Sequence, residues 1–144
     1  MSDSKPTPNY WWATFANKCP RCRRGPMFSN NNPYRSLKAD RILEMPENCP
    51  VCKQKYDLEP GFWYGTGYVS YALAFAMSVT TFVAWYVLIG MSIDDSRVFW
   101  WLGINSVLLV VLQPWLMRFS RVVYLRLFVH FDKEYENHQP KELD

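Results

Sequence analysis

The stretch GFWYGTGYVSYALAFAMSVTTFVAWYVLIGMSI, residues 61–93, runs for 33 residues without an Asp, Glu, Lys or Arg. A helix rises about 1.5 Å per residue and a bilayer core is about 30 Å thick, so about 20 apolar residues span it. The run therefore reads as a membrane helix over about 65–90. A second run, 98–117, is 20 residues long and equally free of charge. Only 91–97 separates the two, which predicts a tight turn and a helical hairpin. Asp94, Asp95 and Ser96 are suited to cap the second helix, and Pro114 should loosen its last turn. Phe62, Trp63, Tyr64 and Tyr68 at one end, and Trp85, Tyr86, Phe99, Trp100 and Trp101 at the other, have the placing of interfacial aromatic belts.

The rest of the composition agrees. The chain has 144 residues, 49% hydrophobic, 17% aromatic and 20% charged, with a formal net charge of +3. This excludes a disordered tail, a collagen-like chain and a strongly basic nucleic-acid binder. Ten of the 16 Lys and Arg residues precede position 61, one lies in the turn and five follow position 117. The imbalance predicts that both termini are cytoplasmic. The first nine residues are polar, and no cleaved leader is expected.

The predicted fold class is thus a mainly α membrane protein: residues 1–60 a small N-terminal module, 61–117 the hairpin, 118–144 a cytoplasmic amphipathic helix and polar tail. On the first span Ser70, Ala74 and Ser78 form a small-residue stripe, suited to packing on the second helix or on another membrane protein. Asn105 is expected to hydrogen-bond between the helices. No ionisable residue lies at mid-membrane, which argues against a transporter or pump. In the tail Tyr124, Leu127, Phe128, Phe131 and Tyr135 follow helical spacing on one face, which suggests a surface-lying helix. Arg118 and Arg121 fall just past the membrane, near anionic headgroups. Residues beyond Glu136 are expected to be mobile.

Chemistry concentrates in the four cysteines. Cys19-Pro20-Arg21-Cys22 and Cys49-Pro50-Val51-Cys52 are two Cys-x-x-Cys turns with no Cys left over. Brought together, they give a tetrahedral four-sulfur site of the kind Zn²⁺ favours. A reducing cytoplasm argues against disulfides. Arg21, Arg23, Arg24, Lys53 and Lys55 can offset the net −2 of four thiolates on a dication. That leaves no need for a nucleic-acid patch. Iron is the alternative, since two Cys-Pro-x-Cys knuckles also resemble rubredoxin, an electron carrier. Rubredoxin usually has Gly after the second Cys, where this chain has Arg23 and Lys53. His130 and His138 are expected not to ligate. A polar segment of this size buries little core, so a structural metal has a clear physical motive. All four ligands would be protein thiolates, which leaves no open position for zinc hydrolysis. No catalytic triad, phosphate-binding loop or paired acid is present, and no small-molecule substrate is indicated. An enzyme acting on lipid through Glu59, His130 or Asp132 is the weakest reading. Glu59, in the Glu59-Pro60-Gly61-Phe62 junction, is instead expected to pair with Arg118 or Arg121.

The first knuckle continues as Cys19-Pro20-Arg21-Cys22-Arg23-Arg24-Gly25-Pro26-Met27-Phe28. With Cys49, Cys52, the Glu59–Phe62 junction and the hairpin, this resembles the bacterial membrane family known as domain of unknown function 983. The resemblance implies a multi-pass inner-membrane protein without established activity. Some members are encoded beside cytochrome oxidase assembly factors, which implies a role around respiratory complexes. The functional expectation is a non-enzymatic accessory or assembly subunit of a larger inner-membrane complex. Cys19, Cys22, Cys49 and Cys52 would hold zinc (or iron), and the lipid bilayer and the complex would be the partners. Glu59, Ser70, Ala74, Ser78, Arg118, Arg121 and Phe128 are the expected interface residues. The alternative is a membrane-tethered, rubredoxin-like electron carrier.

Overall fold

The computed structural model describes residues 6–35, 38–92 and 94–140. In chain order these form α1 (Tyr10–Phe15), α2 (Ala39–Ile42), a 3-10 turn (Phe62–Gly65), α3 (Thr66–Leu88) and α4 (Arg97–Phe128). Among the described residues there is no β-strand, only two isolated bridges, Lys18 to Pro26 and Asn48 to Lys55.

The charge-free run folds as expected, with the 3-10 turn leading into α3. α3 ends where Gly90 adopts φ +79°, a left-handed conformation that glycine takes without steric cost. The connection differs in detail from the expected cap. The Ser96 side chain makes no capping hydrogen bond. Arg97 ties the turn instead, donating from Nη1 to the Ile89 carbonyl at 3.2 Å and pairing with Asp95 at 3.6 Å.

α3 and α4 pack as an antiparallel hairpin. At its middle Asn105, only 7% exposed, bridges the two helices. Its Nδ2 donates to Ser78 Oγ at 3.2 Å, and its Oδ1 accepts from Thr81 Oγ1 at 3.0 Å. The Ser70, Ala74 and Ser78 stripe is therefore turned toward α4 of the same chain. Both helices are long and apolar enough to cross a membrane. Of their most apolar windows, 0% and 6% are buried inside the protein. A core helix of a soluble domain would have that surface covered, so these two present theirs outward.

α4 differs most from the sequence reading. Its 32 residues run about 48 Å, well beyond one bilayer core, without a break at position 118. Pro114 is accommodated inside it. One turn earlier, the Val111 carbonyl accepts a hydrogen bond from the Tyr34 hydroxyl at 3.0 Å, so the segment before α2 lies along this part of the helix. The separate C-terminal amphipathic helix is not formed. Residues 118–128 belong to α4. Val129 is then extended and only 2% exposed, and its burial in the core turns the chain away from the helix axis. The following segment folds back, with Asp132 N–H donating to the Arg21 carbonyl at 3.1 Å.

One apolar core crosses all three expected regions. Cys19, Cys22, Met27, Phe28, Cys49, Cys52, Tyr56 and Leu58 from the N-terminal part pack with Phe62 from the 3-10 turn and with Val122, Leu125 and Val129 from the far end of α4. The N-terminal part is thus built onto the end of the hairpin instead of standing beside it as a separate module.

Candidate metal centre

Each knuckle is closed by its own backbone. In the first, Arg23 N–H donates to the Cys19 carbonyl at 2.8 Å and Cys19 N–H to the Gly25 carbonyl at 2.9 Å. In the second, Lys53 N–H donates to the Cys49 carbonyl at 2.9 Å and Cys49 N–H to the Gln54 carbonyl at 2.9 Å. Closing so tight a loop puts the residue after the second cysteine into the left-handed region: Arg23 and Lys53 both have φ +56°. The conformation expected only of a glycine there is present without one.

The loops bring all four sulfurs within 4.8 Å of one another, and all four cysteines are buried. The closest pairs are Cys19 with Cys52 at 3.7 Å and Cys22 with Cys49 at 3.8 Å. A tetrahedron with metal–sulfur bonds of about 2.3 Å has edges of about 3.8 Å, so the set fits one tetrahedral ion. Disulfides, at about 2.05 Å, are far shorter. The Gly25 N–H points at Cys22 Sγ at 3.4 Å, a donor to a developing thiolate. A Cβ at Gly25 would fall on Cys49 Sγ, so only glycine lets the first loop approach the second cysteine pair.

Four thiols at this spacing compete for protons. The hydrogen bond from Cys19 is the largest cause that brings Cys22 down to about 6, and it leads the lowering at Cys49 as well. Cys19 is pushed up because hydrogen bonding to Cys22, Cys49 and Cys52 favours its S–H form. A divalent cation resolves this competition by taking the place of the protons. The donor chemistry, four soft thiolates in a dry pocket, suits zinc and iron alike.

The surroundings include residues that the motif reading missed. Tyr56, 1% exposed, closes the back of the site and donates its hydroxyl to the Pro26 carbonyl at 3.1 Å. Burial first, then the charge at Cys19, pushes its phenol up, so it stays a neutral donor. From Cys52 to Glu59 burial alternates residue by residue: Cys52, Gln54, Tyr56 and Leu58 inward, Lys53, Lys55, Asp57 and Glu59 outward. The sequence CKQKYDLE carries this period of two openly, and it could have been read as an extended segment.

Arg21, only 3% exposed, clamps the C-terminal segment onto the first knuckle. It donates to the carbonyls of His138 at 2.7 Å and Gln139 at 3.0 Å, and pairs with Asp132 at 3.7 Å. Asp132 also binds His138 Nδ1 at 2.8 Å. Residues 129–140 are therefore fastened, where sequence reading expected mobility past Glu136. Burial acts to raise the Asp132 carboxyl. The hydrogen bonds from His138 and from Glu134 N–H, with the charges of His138 and Arg21, outweigh it and hold the group below the usual carboxylate range. Neither histidine joins the cysteines.

Most of the expected interface residues are occupied within the chain. Arg118, 1% exposed, donates from Nε to the Ile42 carbonyl at 2.8 Å and from Nη1 to the Asn30 carbonyl at 2.7 Å. Arg121 donates to the Leu43 carbonyl at 3.2 Å and lies over the Trp63 ring. Phe128 packs on Phe62 and Tyr124. Glu59 is exposed and, among the described residues, forms no ion pair. The expected Glu59–Arg pair is not made, because both arginines turn to loop carbonyls.

No curated protein and no solved structure matches the chain. A family match covers residues 39–127, which takes in Cys49 and Cys52, α3 and nearly all of α4. The first cysteine pair lies outside it and joins the site through the fold. The matched segment is more than half of the chain, which belongs to the family described as protein of unknown function (DUF983).

Proposed function

We propose that the protein is a non-enzymatic accessory or assembly subunit of a larger complex in the bacterial inner membrane. On this reading α3 and α4 span the bilayer, both termini are cytoplasmic, and a zinc ion holds the cytoplasmic head. The observation that carries the reading is the four-thiolate site buried in the same core as Phe62, Val122 and Leu125. A closed donor set of that kind suits a structural ion, since hydrolytic or Lewis-acid work needs an open position. The ion would fix the head rigidly on the hairpin, as a recognition surface needs. Lateral contact is favoured at a shallow apolar groove of 590 Å³ along α4, lined by Ser96, Phe99, Trp100, Gly103, Ile104 and Val107. It takes the place of the Ser70, Ala74 and Ser78 stripe, which α4 occupies. A respiratory oxidase remains the kind of complex that the family resemblance favours.

The test is purification from native membranes in mild detergent, with mass spectrometry of everything that elutes. The reading predicts a defined larger complex that Cys19→Ser releases. A solitary protein with unchanged behaviour on that substitution would refute it.

A second reading, a membrane-tethered rubredoxin-like electron carrier, gains one specific support: Arg23 and Lys53 do adopt the left-handed conformation of that knuckle. It predicts a red iron form with reversible redox behaviour, and a colourless, zinc-replete protein excludes it.

A further inference from the structure

We infer that α1 is an interfacial anchor whose aromatic face lies in the headgroup–acyl boundary of the bilayer, on the leaflet nearest the metal centre. The inference rests on the reading of α3 and α4 as membrane-spanning. α1 has a buried side and an exposed side. Ala13 and Thr14, 0% and 5% exposed, face the protein, whereas Trp11, Trp12 and Phe15 are 71%, 58% and 53% exposed. With Tyr10, these rings leave roughly 500 Å² of aromatic surface uncovered, large for one patch on a small protein.

The patch is rigid. Thr14 Oγ1 donates to the Tyr10 carbonyl at 2.7 Å. The Tyr10 ring is held by two guanidiniums, Arg126 at 4.8 Å and Arg23 at 5.4 Å. A segment fixed this firmly with its largest apolar groups outward is built to meet an apolar layer.

Its depth identifies that layer. Ser78, bonded to Asn105, lies one residue from Met77, the middle of α3 (Thr66–Leu88). From Asn105 to Trp115 is ten residues along α4, a rise of about 15 Å, half of a bilayer core. Trp115 therefore lies at the hydrocarbon boundary. Phe15 of α1 stacks on Trp115 at 6.2 Å and on Phe119 at 5.4 Å. The exposed face of α1 thus continues the lipid-facing surface of α4 at the level where Trp and Tyr rings favour the interface. α1 has no acidic residue in its first turn, and Lys18 and Arg23 follow it closely, which suits anionic headgroups.

The test uses the full chain in nanodiscs of phosphatidylcholine and phosphatidylglycerol. The protein has seven tryptophans. Subtracting the emission of a Trp11→Phe/Trp12→Phe variant from that of the parent isolates the two in α1, and equal metal content in both confirms that the variant folds. The inference predicts a blue-shifted difference emission that is lost with lipids brominated high on the acyl chain and kept with aqueous iodide. A red-shifted difference emission, lost with iodide and kept with brominated lipid, would mean that α1 faces water or a protein, and would overturn it. The tryptophans left in the variant, four of them in α3 or α4 or at their ends, report on the hairpin separately. If they too escape brominated lipid, the spanning reading is what fails, and the anchor fails with it.

Discussion

Lys53 is exposed and held at φ +56°, and Arg23 shares that conformation while lying 3.9 Å from the centre of the Phe131 ring. A side chain in the left-handed region costs about 1–2 kcal/mol, which only tight closure of the knuckle can sustain. Lys53 is the cleaner site for a test, since Arg23 also holds its aromatic neighbours. Lys53→Gly should raise stability by about 0.5–1 kcal/mol, whereas Lys53→Val should lower it, because a β-branched residue tolerates that region worst. Thermal unfolding in detergent distinguishes the two signs. Gly25→Ala should act on the ion itself: its Cβ meets Cys49 Sγ, so metal affinity should fall in a chelator competition. The cysteines were legible in the sequence because two Cys-x-x-Cys turns without remainder have few other uses. The left-handed Arg23 and Lys53 were not legible, because single-residue propensity favours glycine there and loop closure overrides it.

At the level of elements, α4 does two jobs along one unbroken length. Its first two thirds pair with α3, and its end carries the head. The Asn105 bridge belongs to the first job. Asn105→Leu should destabilise the hairpin by about 0.6–2 kcal/mol, the usual worth of interhelical hydrogen bonds in membranes, as read from unfolding in mixed micelles. Arg118 belongs to the second, joining α4 to the carbonyls of Asn30 and Ile42. The hairpin was legible from charge-free length alone. The continuity of α4 was not, since Arg118, Ser120 and Arg121 read as the end of a span. Their polar groups are satisfied by loop carbonyls and by the helix itself, which a local pattern does not reveal. The tail misled for the same reason: the spacing of Tyr124, Leu127 and Phe128 continues to Phe131, but burial of Val129 and the Arg21 clamp end the helix first. That clamp has a pH signature. The folded Asp132 carboxyl is depressed, so its stabilising effect is complete above the ordinary value of about 3.9 and is lost as pH falls through the lower folded value. Hydrogen exchange of residues 129–140 should therefore stay slow at neutral pH and quicken only below about pH 4, and Asp132→Asn should quicken it at neutral pH.

For the whole molecule, the four sulfurs, the 3-10 turn and the far end of α4 share one core. Division into module, hairpin and tail follows the hydropathy profile, which records composition along the chain and says nothing of contacts between distant segments. Residues 19, 52, 62 and 125 meet only through the fold. Loss of the ion would leave four thiols competing for protons at the centre of that core, so its effect should reach beyond the knuckles. The most direct test is hydrogen-exchange mass spectrometry of the full chain in detergent, before and after metal removal. The account predicts lost protection at residues 17–58 together with Phe62–Gly65 and the 118–128 end of α4, while the Asn105 region stays protected. If protection is lost in the knuckles alone, with 118–128 unchanged, the head is an independent module and the shared, metal-centred core is contradicted.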